Sequence, residues 1–457
     1  MFSSLPSSVI DANSEFRGIP TRTLMGNAGK QSCKEILKKW KKPKKVQIFC
    51  GNGGNGGDGL ALAVELLSSK IETEVVLAND VKNKDAKFYF RKLPKKIIKK
   101  NSNTIKFDGD ILVDALLGVG VKGKLKNPFN TIVRQLKRTH GKIVSLDVPT
   151  GDLKPNLTIA FHSSKNSINE TVFSIGVPKI AETHFGPGDV RYYFPKREQS
   201  SHKGKNGKVL IVGGSKEFVG APIFAALGAI AGGADLVNLM VPQINFAATR
   251  KFSPNIIVHN FTKNSEILTP AAVPEILRVS KKTNSTIVIG CGLGQNPETQ
   301  KAVIKIIDKT CQPLVIDADA LIKNLSKKFD TKRKIVLTPH ASEFRKIAGK
   351  FSPQELAKKA GVTILKKGAI DMISAADGQV RWNDSGNPIL TVGGTGDTLA
   401  GLIGSLLSRG AEPFKAAGMA AFILGKTGEE LALKSESITP QILARKIPQT
   451  IRQILNS

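Results

Sequence analysis

Short aliphatic and β-branched runs recur along this chain with helix-length amphipathic stretches between them, and no other feature restricts the fold so strongly. Residues 46–50, 111–116 and 143–148 read as strands, as do 209–212, 236–241, 286–289, 314–316 and 335–337. Helical patterns fall between them: after the glycines at 51–59, behind Pro128 with Phe129, Ile132, Val133 and Leu136 on one face, at 220–233 and at 398–407. Strand–helix alternation of this kind makes parallel sheets covered by helices, so the fold class is α/β. At roughly 150 residues per domain, 457 residues suit three domains or two large ones. Residues 195–207 (PKREQSSHKGKNG) lack apolar periodicity and predict a linker, dividing the chain into domains 1–198 and 199–457. SPQE at 352–355 predicts a capped helix start.

Charge is the most unusual part of the composition: 68 Lys and Arg against 37 Asp and Glu leave +31, enough to attract phosphate-bearing partners. The lysines bunch at 38–45, 92–100 and 327–334, with Trp40 and Phe329 the only aromatics among them and no nucleic-acid motif alongside. They read as solvated faces, and no specific nucleic-acid partner is expected. Cys33, Cys50, Cys291 and Cys311 form no CxxC pair, which argues against a zinc knuckle and a disulfide framework and for a reducing, cytoplasmic setting. The longest apolar stretch, 223–241, contains Asp235 and several glycines. It reads as a buried helix entering a strand rather than a membrane span, and the first residues show no signal-peptide pattern.

Two glycine loops carry the chemistry. The first, GNGGNGGDG at 51–59, joins a strand to a helix, where glycine admits close backbone approach and the helix start offers free N–H groups. Asp114 and Asp147 stand at the ends of neighbouring strands, where open α/β sheets bind ligands. With Asn55, Asp58 and Thr150 they suit a cation or a polar ligand; aspartates here also serve as caps of helices and turns. The second loop, GGTGD at 393–397, is more specific: successive N–H groups form an anion hole, and Asp397 beside it can take a proton from an attacking hydroxyl.

The amino-terminal half resembles the NAD(P)H-hydrate epimerase domain through LMGNAG at 24–29, the 51–59 loop, DALLG at 114–118 and DVPTG at 147–151. The carboxy-terminal half resembles the ADP- or ATP-dependent NAD(P)H-hydrate dehydratases through VLIVGGS at 209–215, GCGLG at 290–294, IDADAL at 316–321, LTPHASEF at 337–344 and GGTGD at 393–397. The resemblance implies a Rossmann-like three-layer domain followed by a ribokinase-like one. It also implies a bifunctional repair enzyme that epimerises hydrated NADH and NADPH and dehydrates the S form with ADP. Asp397 would deprotonate the ring hydroxyl for attack on the terminal phosphate, and phosphate elimination would restore the double bond.

Carried over residue by residue, the resemblance puts the epimerase substrate on Gly54, Asn55, Gly56, Gly57 and Asp58, on the loop of Gly118, Val119, Gly120, Val121, Lys122, Gly123 and Lys124, and on the catalytic Asp147. Asn55, Asp114 and Thr150 would hold potassium. In the dehydratase, Ala221, Gly292, His340 and the catalytic Asp397 match hydrate-binding positions, and Lys367, Gly368, Ala369, Ile370, Asp371 and Gly396 match nucleotide-binding ones. Magnesium is implied with the nucleotide, and a homo-oligomer by analogy. The chain departs from the pattern at Gly26, where the family has Glu, at Gly54, where it has a second Asn, at Thr150 in place of Ser, and at Asp371 in place of Thr. A small-molecule kinase of ribokinase-like fold, with a non-catalytic amino-terminal binding module of the kind found in mRNA-decapping factors, is the alternative.

Overall fold

The computed structural model describes residues 5–100, 105–120, 123–262, 265–323, 325 and 333–457. Val121, Lys122 and most of the 327–334 lysine cluster lie outside them. The described chain forms two compact units, one of Ser14–Lys179 and the other of Met1–Asn13 with Ile180–Ser457.

The smaller unit holds seven strands: β1 (Lys45–Cys50), β2 (Glu72–Leu77), β3 (Ile98–Lys100), β4 (Ile111–Ala115), β5 (Lys142–Leu146), β6 (Leu157–Phe161) and β7 (Glu170–Phe173). All pair in parallel, in the order β3-β2-β1-β4-β5-β6-β7. Because both faces are covered, adjacent residues of one strand enter different cores. Ile48 packs with Val113 and Leu60 on one side, and Phe49 packs with Leu112 and Ile132 on the other. The chain leaves β1 towards β2 and returns on its other side as β4, so a crevice opens beyond the carboxyl ends of these two strands.

The larger unit repeats the principle with β8 (Lys208–Val212), β9 (Leu236–Val241), β10 (Ile256–Asn260), β11 (Thr286–Ile289), β12 (Leu314–Ile316), β13 (Ile335–Leu337), β14 (Thr363–Lys366), β15 (Asp371–Ser374) and β16 (Val380–Asn383). Their order is β10-β9-β8-β11-β12-β13-β14-β15-β16, parallel except for the last two pairings, and the reversal of direction falls between β8 and β11. Val209 and Ile211 face one core, Leu210 and Val212 the other.

The expected linker is not one. Residues 195–207 belong to the larger unit, where the buried carboxylate of Asp235 accepts from the N–H groups of Gly204 (3.0 Å) and Asn206 (2.9 Å) and pairs with Arg197 (2.9 Å). The division instead follows Lys179. The segment reads as a linker because its order comes from hydrogen bonds, which leave no apolar period. The larger unit also takes in residues 5–13. Asn13 donates to Ala181 O and Asp189 Oδ2, both at 3.1 Å, and accepts from Gly188 N at 2.9 Å. Asp189, fully buried, meets Arg381 in a two-pronged ion pair at 2.5 and 2.9 Å.

Removing one partner of that pair strands a charge in the interior. Asp189→Ala is expected to cost about 3–5 kcal/mol, read as a lower denaturant midpoint of the larger unit, and deletion of residues 1–13 should lower it in the same direction.

Candidate functional site

In the smaller unit the sites follow from where the strands stop. Beyond β1 the glycine loop turns into helix Gly54–Ser68. A Cβ on Gly56 would stand 2.0 Å from Gly51 O, and one on Gly57 2.5 Å from Met25 Cε, so these glycines let the loop fold onto itself. Gly54 faces open space. At Gly26 a Cβ would meet the Tyr89 hydroxyl at 2.4 Å, and that hydroxyl donates to Arg22 O at 2.8 Å. Tyr89 therefore occupies the space that a side chain at position 26 would need.

Asp114, the fourth residue of β4, is wholly buried. It accepts from Thr150 Oγ1 (2.7 Å) and N (2.8 Å), Ser145 Oγ (3.0 Å) and Leu116 N (3.2 Å). Burial raises its pKa while these donors pull it down. Asn55 donates to Leu117 O at 2.9 Å, but its Oδ1 is buried without a partner. Asp147 follows β5 with φ +62°, in the left-handed region. A Cβ on Gly118 would lie 3.7 Å from both Asn55 Cβ and Asp147 Oδ2, so these three residues converge. Val119 and Gly120 extend outward from them, and Gly123, with φ +93°, and Lys124 resume the chain after Val121 and Lys122. Lys165 Nζ reaches Asp147 Oδ1 at 3.2 Å. Nothing in the sequence separates this lysine from its many neighbours.

In the larger unit, Asp397 occupies the first turn of helix Thr395–Ser408, behind Gly394 at φ +98°. Gly290, at φ +129°, brings the loop after β11 so close to β12 that a Cβ would lie 1.7 Å from Asp317 O. Ligand atoms of Cys291, Asp317 and Asp397 consequently fall within 4.8 Å of one another. Burial, then the charge of Asp317, lifts the Asp397 pKa to about 6, against the pull of the Cys291 thiol hydrogen bond and Lys367. Asp317 accepts from Thr338 Oγ1 and Lys367 Nζ, both at 2.8 Å. Burial works against the charge on Lys367, yet Asp317 outweighs it and the lysine pKa is raised. Its ammonium lies 3.4 Å from where a Cβ on Gly396 would stand, beside the open backbone of the helix start.

Gly292, at φ +67°, packs on Phe218 and Ala221; a Cβ there would approach theirs to 2.8 and 3.1 Å. Phe218 is an exposed aromatic on this rim that sequence reasoning passed over. His340 is the N-cap of helix Ala341–Ala348, its Nδ1 accepting from the N–H groups of Ser342 and Glu343 and its own N–H donating to Glu343. Gly368, Ala369 and Ile370 are exposed. Asp371 closes their loop by accepting from Gly368 N and Asn383 Nδ2, both at 3.0 Å, and burial raises its pKa. Cys291 and Asp317 lay within recognised motifs without being singled out; Asp317 carries the signal of an acidic residue directly after a strand. A cavity of about 580 Å³ in this unit, lined by Arg333, Glu412 and Lys415 among others, lies at the opposite, amino-terminal ends of β13 and β14, with none of this cluster in its wall.

Residues 21–180 match the family model described as YjeF-related protein N-terminus, and residues 209–449 match that of NAD(P)H-hydrate dehydratase. Two relatives named bifunctional NAD(P)H-hydrate repair enzyme Nnr, from Hyperthermus butylicus and Archaeoglobus fulgidus, are each 35% identical over 98% of this chain, spanning 91% and 98% of their own lengths. The chain belongs to this repair-enzyme family. Among solved structures, a ribokinase-like superfamily protein of Enterococcus faecalis (TM-score 0.53, 24% identity, 60% of this chain and 96% of that one) shares the fold of the larger unit. The ADP/ATP-dependent NAD(P)H-hydrate dehydratase of Bacillus subtilis, co-crystallised with ATP and Mg2+, matches 59% of this chain and 98% of its own (TM-score 0.50, 25% identity).

The glycine geometry makes a paired prediction. Gly56→Ala should destabilise the smaller unit by about 1–3 kcal/mol through backbone collision, whereas Gly54→Ala should stay within about 0.5 kcal/mol of the parent, both read from thermal or denaturant melts.

Proposed function

We propose that this protein repairs hydrated NADH and NADPH in two steps: residues 14–179 interconvert the R and S epimers, and the larger unit dehydrates the S form at the expense of ADP. The family models and the full-length relatives favour this over the kinase alternative. The observation that carries the dehydratase half is Asp397, a carboxylate with its pKa at about 6, set at a helix start beside an ammonium. It is ionised at neutral pH yet basic enough to accept the proton of the ring hydroxyl. The hydroxyl oxygen then attacks the terminal phosphorus of ADP and AMP leaves. Charge developing on the transferred phosphoryl would meet the N–H groups around Gly393, Gly394 and Gly396 and the Lys367 ammonium. Elimination of phosphate from the resulting ester, with loss of a proton from the neighbouring ring carbon to solvent, restores the ring double bond. Ala221, Gly292 and His340 would bound the hydrate, and Lys367, Gly368, Ala369, Ile370 and Asp371 the nucleotide.

The donor set of Cys291, Asp317 and Asp397 does not suit a resident magnesium ion, since a thiol is a poor ligand for it and Asp317 already holds an ammonium. Magnesium would therefore arrive on the nucleotide phosphates. Potassium does fit the smaller unit: Asn55 Oδ1 is a buried acceptor with no donor, and the Thr150 hydroxyl and Asp114 carboxylate supply further hard oxygens. A potassium ion held there would supply fixed positive charge beside the epimerase substrate. Asp147, with the 54–58 and 118–124 loops, would contact that substrate. All four cysteines are unpaired, as suits a cytoplasmic enzyme.

Asp397→Asn should lower dehydration of the S form about 10³-fold, followed as the returning absorbance of reduced nicotinamide with ADP supplied. In the parent enzyme, kcat/KM for that step should fall about tenfold per pH unit below the Asp397 pKa of about 6, as the base becomes protonated. The same shift has a stability consequence. Native Asp397 titrates above the ordinary 3.8, so its ionisation costs stability as pH rises from there to about 6. Asp397→Asn should accordingly raise the melting temperature at neutral pH while the activity is lost.

A further inference from the structure

The segment following β6 turns back through residues 162–169, and its construction has a single outcome. His162, Asn166 and Asn169 adopt left-handed φ values of 70°, 56° and 50°. With Asp147 they make four of the eight left-handed non-glycine residues among those described. Backbone strain at this density persists only where surrounding contacts impose it. Here the contacts come from Glu170, whose carboxylate accepts from Lys165 N (3.0 Å to one oxygen, 3.1 Å to the other) and Ser167 N (2.6 Å). Burial opposes the charge on Glu170, but the hydrogen bonds from Ser164, Ser167 and Lys165 together outweigh it and hold the pKa below the ordinary carboxylate value.

The pinned loop delivers one side chain. Lys165 Nζ donates to Phe161 O and Ser163 O, each at 2.8 Å, and stands 3.2 Å from Asp147 Oδ1. Both members of this ion pair are largely shielded, at 16% and 17% side-chain exposure. The acceptors fix the ammonium, and the ammonium fixes one carboxylate oxygen. The other oxygen, Oδ2, faces Gly118 and Asn55. Strand β6 grips the same residue a second time, because Asp147 N donates to Ile159 O at 2.8 Å. Asp147 is thus held at its backbone and at one oxygen, with its second oxygen turned to the crevice.

We propose that Lys165 is a positioning residue of the epimerase, acting through Asp147 by holding Oδ1 so that Oδ2 meets the hydrate in one orientation. This rests on the reading of Asp147 as the group that works on the epimers. Lys165 donates to Phe161 O, to Ser163 O and, at 3.4 Å, to Ser163 Oγ, and meets Asp147 as an ion pair, so its ammonium is held in place and acts by orienting the carboxylate. A carboxylate released to rotate would still bind substrate but would meet the reacting atom in the right geometry only part of the time, and such losses fall on turnover.

The test uses the full-length protein, the R hydrate as substrate, and the S hydrate with ADP as an internal control. Lys165→Met is expected to lower epimerase kcat on the order of 10²-fold with KM within about threefold of the parent. Lys165→Arg, which retains the positive donor, should keep kcat within about tenfold. Dehydration of the S form should be unchanged in both. A parental kcat for Lys165→Met, a loss appearing in KM alone, or an Arg variant as slow as the Met one would each overturn the proposal. Should Lys165→Met prove unstable to heat, the Arg variant decides by the same criterion. Asp147→Asn separates the two layers: if it leaves epimerisation at the parental rate, the reading of Asp147 fails and the role of Lys165 fails with it. If it slows epimerisation while the Lys165 variants do not, only the positioning role falls.

Discussion

A carboxylate removed from water must be given donors or become harder to ionise, and the two crevices are arranged around that constraint. Asp114 has four hydrogen bonds from three residues around it and serves as a fixed post between β4 and the loop carrying Thr150. Asp317 is satisfied by a threonine and an ammonium and sets where that ammonium stands. Asp397 is provided for differently. Its side-chain donor is a weakly polar thiol, its nearest carboxylate neighbour repels it, and the result is a group poised near neutrality. The proposed chemistry needs both kinds: satisfied carboxylates that hold other groups still, and one under-satisfied carboxylate that has a use for a proton.

Parallel sheets explain why these residues meet, although they are scattered through the chain. Every strand of such a sheet ends at the same edge, so residues following β8, β11, β12, β13 and β14 converge without being near in sequence. That much was legible beforehand: strands at 236–241, 286–289, 314–316 and 335–337 appear where the apolar runs place them, as does the helix behind GGTGD and the Ser352 cap on Glu355. What could not be read was whatever depends on side chains crossing between loops. Lys165 is one lysine in a lysine-rich chain, and its contact with Asp147 comes from a turn whose left-handed residues are His and Asn rather than the glycines that announce such turns. The strands β2, β6, β7, β10 and β14 were not read from the sequence either, and β3, β15 and β16 have patterns too brief or too polar to register.

The departures from the family pattern acquire physical content. Where Gly26 lacks a side chain, the Tyr89 hydroxyl fills the volume, so the loss of a carboxylate there is accompanied by a different polar group in its place. Asp371, which stands in place of Thr, spends its carboxylate on Gly368 N and Asn383 and so shapes the 367–371 loop from within. Gly54 has open space around it, and its substitution costs the fold nothing visible.

The association of residues 5–13 with the larger unit bears on how the protein folds. Asn13 finds partners 168 and 176 positions later in the chain, and Asp189 waits a further 192 for Arg381. A nascent polypeptide emerges from its amino end and folds domain by domain as it appears. Residues 14–179 have all their strands in hand before the partners of Asn13 at 181–189 are made, and the Asp189 carboxylate beside it gains Arg381 only later still. The two units are therefore nested in sequence: residues 14–179 carry a complete sheet of their own, whereas the larger unit draws on chain from both sides of them.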